Sequence, residues 1–393
     1  MERIGIYGGT FNPPHLGHIR AAQHAIGQLA LHKLLVIPSC ISPHKQLPEN
    51  SASAQQRLQM LQLCIGDIPG VKVSDLELQR GGTSYTFQTV EQLRAEYPGK
   101  ELILFMGTDM FLSFHTWKNP AKIIENASLG VFYRGQKDEI TAIAKQKEFL
   151  ESKGAKVYLL ENPITEISST DLRRMLWFRC AGDYIDPRVL AYIHSNRLYG
   201  VDRALIGLSM EELEETVVKL LKPSRIAHVL GCRDTAVELA GVWGADKTDA
   251  ARAALLHDVT KALDGPLQLT LCHSYGIILS NFARHNPKTL HSLTGSLVAQ
   301  RIFGENNAVV SAICSHTTGK ANMNTLEKII YVADYMEPNR DFPGVEKLRQ
   351  LAYTDLDRAM KTGLEMTLAM LKEQGSEISK ESVEALAWLE NII

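Results

Sequence analysis

The segment Ile4–His18, IGIYGGTFNPPHLGH, decides the fold of the first half of the chain. An apolar strand pattern ends at Tyr7, and the two glycines after it let backbone N–H groups approach a ligand closely. Pro13 and Pro14 end this turn, and proline suits the first position of the helix that we expect next. A strand that leads through a glycine turn into a helix predicts a βαβ unit whose helix N-terminus can bind an anion.

The two histidines of this segment, His15 and His18, lie three residues apart and are predicted to share one face of the helix's first turn. Imidazoles at a helix N-terminus suit the phosphates of a nucleotide and would stabilise the charge of a departing pyrophosphate. A lone Gly-Gly pair would instead indicate a plain turn with two surface histidines. The added threonine, proline pair and His-x-Gly-His spacing favour the phosphate site. Neither a G-x-G-x-x-G after this strand nor a G-x-x-x-x-G-K-S/T occurs, which excludes the common dinucleotide fingerprint and the P-loop.

Up to about residue 200, short β-branched runs alternate with amphipathic helical stretches. This alternation predicts an α/β fold with a doubly wound, Rossmann-like parallel sheet. The strand candidates are Arg3–Tyr7, Leu34–Pro38, Val71–Ser74, Glu101–Met106, Leu129–Tyr133 and Lys156–Leu160. The helix candidates between them include Leu16–Ala30, Ala54–Ile65 and Thr86–Tyr97.

Beyond residue 200 the strand patterns nearly disappear, and helical periodicity predicts an all-α second domain. Ser209 and Glu212 form a capping box that opens its first helix. Further helices are expected at Ser224–Val242, Lys247–Asp258, Pro287–Arg301, Thr325–Tyr335, Asp355–Lys372 and Lys380–Ile393. We therefore expect domains at residues 1–200 and 201–393, with Val201–Leu208 as the linker.

Composition and charge limit the partners of the chain. Its 393 residues are 45% hydrophobic and carry a net charge of −2, so no overall attraction to nucleic acid or acidic membranes is expected. The six cysteines form no C-x-x-C pair, which suits a reducing compartment. No signal segment or 18-residue apolar run is evident, so we expect a cytoplasmic protein without a membrane partner. The sequence leaves homo-oligomer formation open.

The opening segment resembles the H-x-G-H signature of the nucleotidylyltransferase superfamily, whose members transfer AMP or CMP onto a phosphate. The superfamily's second signature, I-S-S-T-x-x-R, is matched by Ile167–Arg173. Serine and threonine here would cap a helix whose N-terminus holds phosphates, and the arginine would reach the same oxygens. The resemblance implies that His15, His18 and Arg173 are catalytic. It implies an ATP site formed by Gly8, Gly9, Thr10, Phe11, His15, His18, Ile167, Ser168, Ser169, Thr170 and Arg173.

Two further stretches, RGGTSYT at residues 80–86 and MGTD at 106–109, resemble the nicotinate-mononucleotide adenylyltransferase branch. The resemblance implies that Thr83, Tyr85 and Trp117 frame the pyridine ring, that Asp109 binds a ribose hydroxyl and that Lys45 faces phosphate. The mononucleotide phosphate would attack the α-phosphate of ATP, with Mg²⁺ carried by the nucleotide. An alternative is a related transferase with another acceptor, and the preference between nicotinate and nicotinamide stays open. Tyr85 and Trp117 could equally belong to the core.

The helical half contains histidines and aspartates in the order His228, His257-Asp258, His291, His316, Asp334. Imidazole nitrogens with a carboxylate suit divalent transition metals, which can acidify a water and polarise a phosphoryl oxygen. This order resembles the HD phosphohydrolase superfamily and its two-metal members. The resemblance implies one metal held by His228, His257, Asp258 and Asp334, and a second held by Asp258, His291 and His316, with Asp258 catalytic.

The stretch LEKIIYVADYMEPNR at 326–340, with FPGV at 342–345, resembles bacterial symmetrical diadenosine tetraphosphate hydrolases. The resemblance implies an iron site and cleavage to two ADP, although the sequence alone does not separate iron from manganese. Lys261 and Arg340 would contact phosphates. The alternatives are an HD domain that acts on another nucleotide and a regulatory module that binds a ligand without catalysis. The fusion itself suggests that the second domain removes adenylated by-products of the first; the sequence leaves coupling between the sites open.

Overall fold

The strands in the described part of the chain all come from apolar runs of its first half. The computed structural model describes residues 2–43, 46–133, 137–161 and 167–393. The strands are β1 (Arg3–Gly9), β2 (Lys33–Pro38), β3 (Val71–Val73), β4 (Glu101–Gly107), β5 (Ser128–Tyr133) and β6 (Val157–Glu161). All adjacent strands pair in parallel in the order β3-β2-β1-β4-β5-β6. This is the doubly wound order, so the predicted fold class is confirmed.

Helices connect these strands and supply the rest of the first core. They are α1 (Leu16–Leu29), α2 (Ala54–Ile65), α3 (Leu76–Arg80), α4 (Thr86–Glu96), α5 (Thr108–Leu112), α6 (Pro120–Asn126), α7 (Lys137–Glu151), α8 (Ser169–Trp177) and α9 (Pro187–Ser195), with 3₁₀ turns at Phe114–Thr116, Gly182–Tyr184 and Leu198–Gly200. Ile6 of β1 and Leu104 of β4 pack in one apolar cluster with Val90 of α4 and Phe111 of α5. Both strands at the centre of the sheet are therefore fixed by buried side chains.

Helix α1 begins at Leu16, as its predicted bounds had it, but the position expected for the prolines is wrong. His15 is the N-cap, with extended backbone at φ −143° and ψ 171°. The proline pair consequently lies before the helix and not at its first position. At the other end Ala30 adopts the left-handed conformation, at φ 47°, which ends the helix at Leu29.

Backbone contacts divide the chain into two compact units, Met1–Asp202 and Arg203–Ile393, and the second is helical. Its helices are α10 (Met210–Leu220), α11 (Pro223–Trp243), α12 (Lys247–Leu256), α13 (Gly265–Ser274), α14 (Asn281–His285), α15 (Leu290–Val298), α16 (Asn307–Ser315), α17 (Thr325–Met336), α18 (Val345–Ala352), α19 (Leu356–Glu373) and α20 (Lys380–Ile392), with a 3₁₀ turn at Pro287–Thr289 and a π-helical turn at Ala299–Phe303. None of the helices among the described residues combines the length and apolar character that a bilayer crossing requires.

The predicted helices of this unit are found, with two corrections. Ser209 caps α10 through the expected capping box with Glu212. The single helix expected at Pro287–Arg301 is instead a 3₁₀ turn, then α15, then a π-helical turn. Helix α12 ends at Leu256 because tight turns follow, with Val259 N–H bonded to the Leu256 carbonyl. The His-Asp doublet therefore lies directly after a helix and not within it.

Candidate active sites

The two signature segments of the first unit meet at the loop that follows β1. Ser169 Oγ donates a hydrogen bond to the Pro13 carbonyl at 3.0 Å. Arg173 Nη1 donates to the Asn12 carbonyl at 2.7 Å. These residues are more than 150 positions apart in sequence, yet both contacts lie at the carboxyl end of β1. Beside it runs β4, and ligands of open α/β sheets bind at this switch point of the strand order.

His15 and His18 are close-packed at the start of α1. Their ring centroids lie 3.6 Å apart, and His18 Nδ1 accepts a hydrogen bond from the His15 backbone N–H at 3.1 Å. His15 is only 7% exposed, and burial lowers its pKa to about 4. The His15 imidazole is therefore neutral at pH 7 and can donate or accept a hydrogen bond without carrying charge.

The glycines before these histidines have different roles. A Cβ added at Gly8 would meet nothing within 4 Å, so this position opens onto free space. A Cβ at Gly9 would lie 2.9 Å from the Phe11 ring. Phe11 itself is 2% exposed and packs edge-on against His18 at 4.9 Å between centroids. The Phe11 ring is therefore part of the packing that supports His18.

A buried arginine that the sequence did not single out supports the same loop. Arg57 of α2 is 1% exposed and donates from Nη1 to the Thr10 carbonyl at 2.6 Å. Its Nη2 donates to the carbonyls of Ser39 and Cys40 at 2.6 and 3.2 Å. One guanidinium thus joins the loops after β1 and β2. In sequence Arg57 looks like a polar-face residue of an amphipathic helix, so no pattern identifies it.

The second signature forms the N-terminus of α8. Ser168 is its N-cap, and its hydroxyl accepts from the Asp171 N–H at 3.1 Å. Thr170 Oγ1 accepts from Arg173 Nη2 at 3.1 Å, so the arginine is held from both sides. Ile167 is buried just ahead of the helix. The helix N-terminus, and with it the free N–H groups that bind anions, is placed beside the β1 loop.

The residues predicted for the pyridine ring are only partly brought together. Tyr85 and Trp117 line one small cavity of about 30 Å³, and Lys118 Nζ lies 4.0 Å from the Tyr85 ring centroid. Trp117 also packs on Phe114, with centroids 5.2 Å apart. This cavity is smaller than a mononucleotide, and a more open hollow of about 500 Å³ lies along α1, away from both signatures.

The other predicted acceptor residues lie elsewhere or outside the description. Thr83 pairs with Ile41 in an isolated parallel bridge. Asp109 is exposed in the first turn of α5, where its backbone carbonyl accepts from Ser113. Lys45 lies outside the described residues.

In the second unit the six predicted ligands converge around Asp258. Its Oδ2 lies 3.8 Å from His228 Nε2 and 3.5 Å from His257 Nε2. Its Oδ1 lies 3.5 Å from His291 Nε2 and 3.9 Å from His316 Nε2. Asp334 Oδ1 completes the first group, 3.1 Å from His228 Nε2. One buried carboxylate therefore has one oxygen facing each pair of histidines.

The opposite ring nitrogens show which tautomer each histidine adopts. The Nδ1 atoms of His257, His291 and His316 face backbone carbonyls at 2.6, 2.7 and 2.7 Å. A carbonyl only accepts, so each Nδ1 carries the proton and each Nε2 keeps its lone pair. His228 Nδ1 faces the Glu337 carboxylate at 3.1 Å. His257, His291 and His316 thus present an unprotonated Nε2 to the centre of the cluster, whereas His228 has a carboxylate on each side, Glu337 at Nδ1 and Asp334 at Nε2.

Burial and mutual charge set the protonation of this cluster. Burial lowers the pKa of His257, that of His291 to about 4 and that of His316 to about 3. For Asp258, burial raises the pKa, but His257 and Lys261 outweigh it, and the net pKa is well below the ordinary range. Neutral imidazoles and ionised carboxylates are the forms that bind metal ions.

Three basic side chains border the cluster. Lys261 Nζ lies 2.9 Å from His291 Nε2 and 3.4 Å from Asp258 Oδ1. Arg340 Nη2 lies 2.7 Å from Asp334 Oδ1, and Arg225, which sequence reasoning missed, pairs with Asp258 Oδ2. All three are partly exposed, so they lie where an incoming anion would meet the cluster.

The donor set fits a divalent metal centre. Two groups, His228–His257–Asp334 and His257–Asp258–His316, each have ligand atoms within 4.8 Å of one another. Asp258 Oδ1 is buried and, among the described residues, has no hydrogen-bond partner. Lys261 Nζ lies 3.4 Å from this oxygen without a hydrogen bond, so a bound cation would supply the close contact that the buried oxygen lacks. The buried imidazoles and carboxylates suit a transition metal better than Ca²⁺ or Mg²⁺.

Comparisons with known proteins divide the chain in the same way. A cytidylyltransferase-like family model matches residues 6–175, and an HD domain model matches residues 225–339. Proteins of Geotalea daltonii and Dictyoglomus thermophilum, both named "probable nicotinate-nucleotide adenylyltransferase", are 32% and 36% identical to this chain. They cover 51% and 50% of it, and the chain covers 100% and 99% of them.

A relative of the second half is the "bis(5'-nucleosyl)-tetraphosphatase, symmetrical" of Bacillus subtilis. It is 34% identical and covers 46% of this chain, which covers 98% of that protein. Both resemblances seen in the sequence are thus confirmed. The chain belongs over its first half to the nicotinate-nucleotide adenylyltransferases of the cytidylyltransferase-like family, and over its second half to the HD domain family.

Proposed function

We propose that the chain is a bifunctional enzyme whose first unit transfers AMP from ATP to nicotinate mononucleotide, giving nicotinate adenine dinucleotide and pyrophosphate. The observation that carries this proposal is the pair of hydrogen bonds from Ser169 and Arg173 to the loop after β1. They bring both signatures of an adenylyl transferase to one edge of the sheet. The names of the relatives supply the acceptor class.

In this proposal the chain acts by positioning and charge stabilisation. Gly8 leaves room for the phosphates of ATP, and the N–H groups at the start of α8 bind them. His15 and His18 donate hydrogen bonds to the phosphoryl oxygens, and the Arg173 guanidinium balances the charge that develops on pyrophosphate. The mononucleotide phosphate attacks in line and displaces pyrophosphate, so no covalent intermediate with the protein forms. Mg²⁺ enters with ATP.

Tyr85 and Trp117 are our candidates for the pyridine ring. Their shared cavity of about 30 Å³ would have to open on binding, after which the indole can stack on the ring. Lys118, already against the Tyr85 ring, lies close enough to attract a nicotinate carboxylate. We assign Thr83, Asp109 and Lys45 to the same acceptor on the strength of the family resemblance.

We further propose that the second unit hydrolyses diadenosine tetraphosphate between its central phosphates, yielding two ADP. The observation that carries this proposal is Asp258, whose two oxygens face two histidine pairs. Two bound divalent ions, which we expect to be iron or manganese, would acidify a water and polarise the attacked phosphoryl oxygen. The first would be held by His228, His257, Asp258 and Asp334, and the second by Asp258, His291 and His316.

The remaining roles belong to side chains at the border of the cluster. Lys261 and Arg340 would move from the ligand carboxylates to the substrate phosphates once the metals neutralise Asp258 and Asp334. Arg225 is placed to do the same. The second activity would remove adenylated polyphosphates that the first unit produces when AMP is transferred to a wrong acceptor.

The test uses one preparation and two assays. The first measures pyrophosphate release from ATP and Mg²⁺ with nicotinate mononucleotide, nicotinamide mononucleotide or phosphopantetheine. We expect nicotinate mononucleotide to be preferred. The second assay supplies diadenosine tetraphosphate with Fe²⁺ or Mn²⁺, and ADP should be the sole product, lost in His257→Ala while adenylyl transfer is kept. Preference for another acceptor, or AMP and ATP as products, would contradict the respective half of the proposal.

A further inference from the structure

One of the four clustered histidines is supported differently from the others. The Nδ1 atoms of His257, His291 and His316 each face a neutral backbone carbonyl of the preceding turn. His228 Nδ1 instead faces Oε1 of Glu337, a side chain that is 1% exposed. A side-chain carboxylate therefore lies behind only one imidazole of the four.

The Glu337 carboxylate is held firmly in this position. Its Oε2 accepts from the backbone N–H of Asn339 at 2.7 Å and from Asn339 Nδ2 at 2.8 Å. Asn339 Nδ2 also donates to the Ala227 carbonyl at 3.1 Å, next to His228 on α11. These two donors, together with the contact to His228, fix the orientation of the Glu337 carboxylate.

Helix α11 makes room for this carboxylate. A Cβ added at Gly231 would lie 2.5 Å from Glu337 Oε2 and 3.0 Å from Asn339 Nδ2. Glycine inside a helix is less stabilising than alanine, so its presence here suits a position where the carboxylate comes close. At this position any larger residue would push the carboxylate away from His228.

We infer that Glu337 is a positioning residue that makes the two metal positions of the second unit unequal. Its carboxylate contacts His228 Nδ1 and so fixes the orientation of the imidazole, whose Nε2 faces Asp334 and His257. The group that contains His228 then binds a divalent cation more tightly than the group of His291 and His316. This inference rests on the proposed metal-dependent function of the second unit.

The experiment titrates the full-length chain, stripped of metal by a chelator, with Mn²⁺ alone, using calorimetry and metal analysis after desalting. Wild type should bind two Mn²⁺ in unequal steps. Glu337→Gln keeps an oxygen that can accept a hydrogen bond from His228 Nδ1 but cannot be charged, and it should weaken the tighter binding step about 10-fold. Glu337→Leu has neither the oxygen nor the charge, and it should weaken this step about 100-fold. Gly231→Ala should weaken the same step, because the added methyl would displace the Glu337 carboxylate from His228. The fold should be kept, because only the end of a side chain has to move.

The matched control is Glu327→Gln on α17. Glu327 is 2% exposed, but its carboxylate accepts from Lys320 and from the Asn324 N–H, not from a histidine. The Glu327→Gln substitution should therefore leave both Mn²⁺ binding steps unchanged. Equal steps in wild type, or the same loss in Glu337→Gln and Glu327→Gln, would overturn the inference. If wild type bound no Mn²⁺ at all, the proposed metal-dependent function would itself be contradicted, and the inference with it.

Discussion

Replacing His15 by glutamine should change how the stability of the first unit depends on pH. Burial lowers the pKa of His15 to about 4 from an ordinary value of 6.5. As the pH falls below 6.5 the unfolded chain binds a proton at this position, whereas the folded chain stays neutral until about pH 4. Wild type therefore loses stability through this histidine as the pH falls from 6.5 to about 4. The total loss, at 1.36 kcal/mol per pKa unit, is about 3 kcal/mol.

The measurement compares wild type with two variants that cannot titrate, His15→Gln and His15→Asn. Their free energies of unfolding are followed from pH 7.5 to pH 4 by hydrogen exchange of peptides that cover β1 and α1, so that the second unit does not contribute. Both variants should be less stable than wild type at pH 7.5, because the close ring contact with His18 is lost. On going to pH 4 each should gain about 3 kcal/mol relative to wild type.

The two variants control for packing, since glutamine and asparagine differ in size but should share the same slope against pH. A difference from wild type that stays constant between pH 7.5 and pH 4 would refute a buried, neutral His15. If wild type instead gained stability relative to the variants at low pH, the folded state would have to favour the imidazolium, which would require an anionic partner beside His15.

Three other substitutions test the first unit. Arg173→Lys keeps the charge but loses the fork that reaches Asn12, and steady-state pyrophosphate release should show kcat/KM reduced roughly 100-fold, with Arg174→Lys as the matched neighbour control. Arg57→Met removes three hydrogen bonds to backbone carbonyls, so calorimetry should show a loss on the order of 3 kcal/mol; full stability would contradict the support that we assign to Arg57. Gly130→Ala would place a Cβ 2.6 Å from the Phe105 ring and should cost about 1–3 kcal/mol without altering KM.

The sheet could be predicted because buried parallel strands appear in the sequence as continuous apolar runs. Each predicted strand is present, with ends that differ by one or two residues, as at β1, which continues to Gly9. Helices were harder where packing rather than capping defines them. Helix α16 was not predicted, although Asn306 caps it, because its nine residues lie in an apolar stretch without helical contrast.

The candidate sites were predictable where their residues form contiguous motifs. Ile167–Arg173 and the segment around His15 are such motifs, and the structure places both at one loop. Arg57 was not predictable, since its importance depends on carbonyls that come within reach only when the loops after β1 and β2 are folded. Arg225 was missed for a related reason: its partner, Asp258, lies 33 residues away on another element.

A glycine inside a helix indicates in the sequence that another group lies close to the helix, but the sequence does not identify that group. Because alanine is the better helix former, a glycine in the middle of α11 or α15 predicts that something approaches the helix backbone closely. The structure identifies what approaches: the Glu337 carboxylate at Gly231, and the His257 carbonyl, 3.2 Å from a Cβ added at Gly295. Both neighbours belong to the candidate metal cluster or directly support it. The four histidines and two aspartates define which atoms could hold a metal, whereas Gly231 lets the carboxylate behind His228 approach α11 and Gly295 lets the backbone of His257 pack against α15.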